Sequence, residues 1–141
     1  MSQTEIDEVF TEILAELGID DYSLVDGSGL SRHNLVTPET LVQTLTVMES
    51  TPMFASYLNS LAVSGVNGTL KTRFLLDNLQ GNIFGKTGTL SGVVSLSGYM
   101  YLPERETLVF SIVVNNSDLP SRNLRQAIDR IVFWLSRIKR C

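Results

Sequence analysis

Hydrophobic residues recur at helical spacing at both ends of this chain and at shorter spacing through its later middle. Ile6, Val9, Phe10, Ile13, Leu14 and Leu17 share one helical face, which predicts an amphipathic helix over roughly 4–17. Ser2-x-x-Glu5 has the form of a capping box, and Gly18 fits the stop. Thr37-Pro38-Glu39 reads as an N-cap followed by proline at the first helical position. The helix it opens carries Leu41, Leu45 and Met48 on one face. Thr51-Pro52 repeats the signal for a third helix with Phe54, Tyr57, Leu58 and Leu61. Ser64 to Thr69 is a loop holding the Asn67-Gly68 turn, and residues 69–79 are expected to form a short helix.

Three strands are expected at roughly 82–89, 93–102 and 107–115. The turn Pro103-Glu104-Arg105-Glu106 makes the last two an antiparallel hairpin. A closing helix begins near 117–121 and is expected to bury Leu124, Ala127, Ile128, Ile131, Val132 and Leu135. Residues 20–31 form a turn-rich connection, and repeats, low-complexity tracts and an internal domain boundary are absent from the sequence. Helices first, then an antiparallel sheet, then a closing helix define an α+β class. Three strands are few for this apolar content, so the sheet is expected to draw further strands from elsewhere.

Composition narrows the function. At 141 residues and 43% hydrophobic, the chain is one domain's worth, or a piece of a larger one, with enough apolar content for a core. No apolar run reaches the ~18–20 residues of a membrane span. The first residues, Met1-Ser2-Gln3-Thr4-Glu5, have neither the basic region nor the apolar run of a signal peptide. The net charge of −4 argues against nonspecific nucleic-acid binding. Charge is uneven: residues 1–26 hold eight acids and no Lys or Arg, whereas residues 122–140 hold six of the eleven bases. The asymmetry reads as two solvated helix faces, with a partner-binding surface as the alternative. Cys141 is the lone cysteine, so no internal disulfide forms, and one His with one Cys makes no metal site. No cofactor is expected.

The candidate chemistry centres on Gly85-Lys86-Thr87-Gly88-Thr89-Leu90-Ser91-Gly92. It offers an ammonium, hydroxyls and backbone N–H groups beside glycines that leave the backbone open to approach. A phosphate loop is excluded by spacing, because Gly81 lies one residue too close and the stretch opens no helix. A triad drawn from His33, Asp26 and Ser28 or Ser31 places every member on one loop, and Asp26 takes the first glycine of a nucleophile elbow. Ser136-Arg137-Ile138-Lys139 has the Ser-x-x-Lys form but sits at the end of a helix, on its expected solvated side. What remains is Ser31 on one loop and Lys86-Thr87-Gly88 on a strand, a layout suited to a cleft between helices and sheet.

Three stretches resemble successive signatures of the D-Ala-D-Ala carboxypeptidases of peptidase family S13, the class C low-molecular-mass penicillin-binding proteins. They are Asp26-Gly27-Ser28-Gly29-Leu30-Ser31-Arg32-x-Asn34-Leu35, Gly65-Val66-Asn67-Gly68-Thr69-Leu70-Lys71-x-Arg73-Phe74 and Lys86-Thr87-Gly88-Thr89-Leu90-Ser91-Gly92-Val93. The resemblance runs from the first helix to the last and implies a transpeptidase-like fold with Ser-x-x-Lys, Ser-x-Asn and Lys-Thr-Gly around one cleft. Lys-Thr-Gly is Lys86-Thr87-Gly88. Ser31 matches the second motif's serine, with His33 at its strict asparagine position and Asn34 one further on. Ser-x-x-Lys has no counterpart upstream of Lys86, which marks the chain as resembling the C-terminal part of such an enzyme.

The resemblance implies a role for each residue. Ser31 relays a proton to the leaving amine. Lys86 supplies positive charge, and Asn34 or His33 supplies an amide-type contact to substrate. The hydroxyls of Thr87 and Thr89 hold the terminal carboxylate beside Gly88, and the Thr89 N–H donates to the oxyanion. The implied substrates are peptidoglycan stem peptides ending in D-Ala-D-Ala, with β-lactams as mimics where the site is complete. The implied location is the periplasm or outer face of the envelope. The other reading is a non-catalytic remnant that binds peptidoglycan peptides or a protein partner through the half-cleft.

Overall fold

The computed structural model describes residues 3–76, 78–103 and 106–138. Helix α1 spans Gln3–Glu16. A two-stranded ribbon, β1 (Tyr22–Ser23) with β2 (Leu35–Val36), encloses the residue 24–34 loop. Helices α2 (Pro38–Glu49) and α3 (Phe54–Ser60) follow. The main sheet is antiparallel in the order β3 (Ala62–Val63), β4 (Ile83–Leu90), β5 (Val93–Met100), β6 (Leu108–Val114). Helix α4 (Ser121–Leu135) closes the chain. The expected capping residue Ser2 and the turn residues Glu104 and Arg105 lie outside the described residues.

The alternation of the strands decides what each sheet face meets. Ile83, Val94, Leu96, Met100 and Phe110 point to one face. There they pack with Leu124, Ile128 and Val132 of α4 and with Leu70, Phe74 and Leu79. The opposite face is divided. At one end Tyr99 packs with Leu45, Leu61 and the partly buried Phe54, Phe84 and Val109, beneath α2 and α3. At the other end the same face carries Lys86, Gly88, Ser95, Ser97 and Ser111, with the Ser97 and Ser111 hydroxyls 2.9 Å apart. A full apolar core on one side and a part-polar surface on the other leave the Lys86 end of the sheet free for function.

The close approach of β4 to β5 depends on glycine. A Cβ on Gly98 would sit 2.0 Å from the Phe84 carbonyl oxygen and 2.7 Å from Gly85 Cα. On Gly85 it would meet Leu96 Cδ1 at 3.0 Å. Gly85 is buried, so this glycine serves strand packing and not ligand approach, contrary to the expectation from sequence.

The structure corrects several other expectations. Among the described residues of 69–79 the helical element is a 3₁₀ turn, Gly68–Leu70, and no α-helix forms. Phe74 at φ 57 interrupts any helix there, while still burying its ring in the core. Thr51 does not cap α3; its hydroxyl donates to the Met48 carbonyl, and α3 begins at Phe54. Thr37 does cap α2, its Oγ1 accepting from Thr40 N at 3.0 Å. On α4, Ala127 and Ile131 are exposed, because the packing stripe follows the i, i+4, i+8 row Leu124, Ile128, Val132. The fourth strand is β3, two residues paired to Phe84 and Gly85. Helix α1 forms as expected, yet Val9, Phe10, Ile13 and Leu17 remain 42–49% exposed.

Candidate active site

Strand β4 carries the site, and its alternation separates three sets of groups. The Lys86 side chain lies on the part-polar face, paired across from Ser97. Thr87 and Thr89 point to the α4 face. The third set is the backbone edge. Ile83 O accepts from Ser64 N at 3.0 Å, and Ile83 N donates to Ser64 Oγ at 3.0 Å, so odd-numbered residues of β4 turn their backbone groups toward β3. Among the described residues β3 ends its pairing at Gly85. The N–H and C=O groups of Thr87 and Thr89 therefore face an edge with no strand on it. Lys86 Nζ donates to the Thr87 carbonyl at 2.9 Å, and Thr87 Oγ1 donates to Thr69 Oγ1 at 3.0 Å.

Ser64 fixes this edge. It is fully buried, its Oγ donates to Leu79 O at 2.6 Å, and it receives the Ile83 N–H. Gly81 N donates to Ser64 O at 2.8 Å. One buried hydroxyl thus ties the irregular 70–79 segment to the start of β4 with every polar atom satisfied. A Cβ on Gly88 would lie 2.5 Å from Ser95 Oγ, so the Ser95 hydroxyl would have to turn away.

A cleft of about 490 Å³ opens on the α4 side of this edge, lined by Thr69, Thr87, Thr89, Arg73, Arg122 and Arg125 among others. Arg73 pairs with Asp129 of α4 through Nε at 3.0 Å and through Nη2, with its guanidinium 5.3 Å from the Phe74 ring. A second groove, about 430 Å³, is apolar and lies on the outer side of α4 between Ile131, Trp134 and Ile138.

Among the described residues one hydrogen bond ties the residue 24–34 loop to the β4–β5 turn. Arg32 Nη2 donates to the Ser91 carbonyl at 3.5 Å, which sets the loop beside the β4–β5 turn. Within it, Ser31 is partly buried and its Oγ accepts from His33 N at 3.1 Å, while the His33 side chain is exposed. Asn34 is spent on the loop itself: Oδ1 accepts from Val25 N at 2.7 Å, and Nδ2 donates to Asp26 Oδ1 at 3.0 Å. That hydrogen bond, with further donors from Gly29 N and Ser28, holds the Asp26 carboxyl below its ordinary range. Among the described residues no hydrogen bond joins Ser31, His33 or Asn34 to Lys86. The structure therefore gathers Lys86, Thr87, Gly88 and Thr89 on one edge and places Ser31 and His33 on a neighbouring loop.

The triad reading finds no support, since Asp26 is paired with Asn34 and not with His33. Ser136 is buried and donates to Phe133 O at 2.7 Å, so it does not face solvent as expected; Lys139 lies outside the described residues. Sequence reasoning missed Arg73, Arg122 and Arg125. The i, i+3 spacing of the last two and their i+7 and i+4 relation to Asp129 mark one helix face and were the available signal.

A mixed fold of helices on an antiparallel sheet, with Lys-Thr-Gly on an open strand edge, defines a β-lactamase- and transpeptidase-type architecture. TLA-3 extended-spectrum β-lactamase shares it at TM-score 0.67 over 89% of this chain and 54% of its own, at 20% identity. The chain belongs to the D-Ala-D-Ala carboxypeptidase 3 (S13) family, which it matches over residues 1–137. It is 46% identical over 117 residues to the D-alanyl-D-alanine carboxypeptidase of Actinomadura sp. strain R39, covering 78% of this chain and 22% of that one. Penicillin binding protein 4 (dacB) of Haemophilus influenzae superposes at TM-score 0.81 with 30% identity, over 92% of this chain and 31% of its own. That protein also has a structure in complex with a novel β-lactam. The chain thus spans about a quarter of the length of its curated relatives.

Proposed function

We propose that this chain is the C-terminal part of a serine-type D-Ala-D-Ala carboxypeptidase or endopeptidase that acts on peptidoglycan stem peptides at the outer face of the cell envelope. The observation that carries the reading is the open edge of β4. Lys86 stands on one side of it, the Thr87 and Thr89 hydroxyls on the other, and the Thr89 N–H in its plane.

Each group suits one task. An extended peptide laid along this edge meets backbone donors and acceptors as a further strand does. The Thr89 N–H is assigned to the oxyanion of a reacting carbonyl, and the threonine hydroxyls to a carboxylate. Lys86 adds a positive charge on the part-polar face. Ser31 is assigned the proton relay, and His33 the polar contact beside it. Asn34 has its amide committed to Asp26, so its part is to shape the loop that presents Ser31. The attacking serine and its lysine base belong to a segment outside this chain. The half-exposed apolar face of α1 supports a larger whole that covers it.

The experiment is intact mass after incubation with benzylpenicillin, beside an assay for D-Ala release from a D-Ala-D-Ala peptide. The chain alone is expected to gain no adduct and release no D-Ala. Joined to an S13 segment carrying Ser-x-x-Lys, it is expected to do both. A stable adduct on this chain alone contradicts the assignment of the nucleophile elsewhere.

A further inference from the structure

The hydroxyls of Thr87 and Thr89 face α4, whereas the Lys86 side chain lies on the other side of the sheet, held to the Thr87 carbonyl. Lys86 Nζ therefore stands at the open edge, and Lys86 is not among the residues lining the cleft on the α4 side. The cations that share the threonine side are Arg73, Arg122 and Arg125. Arg73 is neutralised by Asp129 through a two-point contact. Among the described residues Arg122 and Arg125 form no ion pair, and both are exposed at the cleft. Three guanidiniums against the single carboxylate of Asp129 leave the cleft with two uncompensated positive charges.

We propose that Arg122 and Arg125 of α4 form, with the Thr87 and Thr89 hydroxyls, the subsite that selects a free carboxylate at the end of the bound peptide. This rests on the reading of the β4 edge as a peptide site and assigns the determinant that distinguishes a free chain end from an internal peptide bond. Guanidiniums present planar donor forks that match a carboxylate, and threonine hydroxyls add directed donors to the same two oxygens. An amide at that position has no net charge and offers its own N–H groups to a surface already made of donors. Asp129 has a positioning role: it holds Arg73 and ties residues 70–79 to α4, which keeps the Thr69 side of the cleft against the helix.

The test compares three probes by calorimetric titration at low and at moderate salt: N-acetyl-D-Ala-D-Ala, its C-terminal carboxamide, and acetate. Parallel NMR spectra follow the side-chain Nε–H signals of Arg122 and Arg125. The acid peptide is expected to bind more tightly than the carboxamide and to shift both arginine signals. The Arg122→Gln/Arg125→Gln variant is expected to lose about tenfold in affinity for the acid peptide. It is expected to bind the carboxamide as the parent does, so that preference disappears. Arg122→Lys/Arg125→Lys should restore part of it, and thermal unfolding of each variant confirms the fold. Acid peptide bound equally well by the parent and the glutamine variant overturns the arginine assignment while the peptide site stands. Acetate bound in an arginine-dependent manner, with no preference for the dipeptide, keeps the anion subsite and overturns the peptide reading. No binding of either carboxylate overturns both.

Discussion

Substituting Gly98 by alanine tests whether the β4–β5 contact holds the site in place. The added Cβ would lie 2.0 Å from the Phe84 carbonyl oxygen and 2.7 Å from Gly85 Cα. A carbon–oxygen contact settles near ~3.4 Å, so β4 must retreat by more than ~1 Å. Both obstacles are backbone, so no rotamer change relieves them. The retreat acts where Phe84, Gly85 and Lys86 face Tyr99, Gly98 and Ser97. Loss of two ladder hydrogen bonds costs about 2 kcal/mol. Overpacking adds about 1–3 kcal/mol, for a total of about 3–5 kcal/mol out of the ~5–15 kcal/mol of a typical domain. Urea unfolding at 25 °C reads this as a lowered midpoint at unchanged slope. Gly81→Ala is the control: φ is +76 with nothing within 4 Å, so only the left-handed backbone is penalised, by about 1–2 kcal/mol. Gly98→Ala costing no more than Gly81→Ala would refute the claim that strand contact, and not conformational freedom, dictates glycine at 98.

Three further outcomes follow from the packing and the ionisable groups. In an Arg73→Gln, Asp129→Asn double-mutant cycle, each single change is expected to cost about 1–3 kcal/mol, with a coupling near ~1 kcal/mol, because the pair is partly buried and two-pointed. Additive losses in denaturant titrations count against it. Asn34→Ala removes the hydrogen bond that lowers Asp26 most, so the Asp26 carboxyl, followed by carbon NMR, should titrate closer to the ordinary 3.8. Because the folded-state value is depressed, its contribution to stability is present above the unfolded pKa and lost as pH falls through the folded one. An unmoved titration removes Asn34 from that role. Tyr99 is raised well above the ordinary tyrosine range, chiefly by burial, and its hydroxyl donates to Leu45 O at 2.7 Å. Its stabilisation is present below the unfolded pKa and fades as pH rises from about 10 toward the folded value. Tyr99→Phe should cost about 1–2 kcal/mol at neutral pH and flatten part of the alkaline decline. Tyr57 and Tyr101, also raised by burial, keep the remainder.

What the sequence made legible was governed by local rules. The Thr37-Pro38 start of α2 and the alternation of apolar and small polar residues over Val94-Ser95-Leu96-Ser97 in β5 need no tertiary information. The 69–79 helix failed because three buried apolar anchors, Leu70, Phe74 and Leu79, impose a path that includes a left-handed Phe74. Strands β1, β2 and β3 are two residues each, too short for any periodic signal. Within the site, Lys86-Thr87-Gly88-Thr89 was visible as a motif, and its division between two faces followed once it was a strand. Asn34 looked available for a ligand because sequence does not show that its amide closes the loop onto Asp26. The α4 arginines read as a solvated face, since only the fold brings Arg122 and Arg125 beside the threonines of a strand more than thirty residues away.

The most direct measurement is an ¹⁵N NMR titration of this chain with diacetyl-L-Lys-D-Ala-D-Ala. Saturable shifts are expected, centred on the backbone amides of Thr87 and Thr89 and on Lys86, and weakened in Lys86→Ala although its fold is intact. Shifts scattered away from β4, or a response at Thr89 that survives Lys86→Ala unchanged, would contradict the reading of the β4 edge as a peptide site.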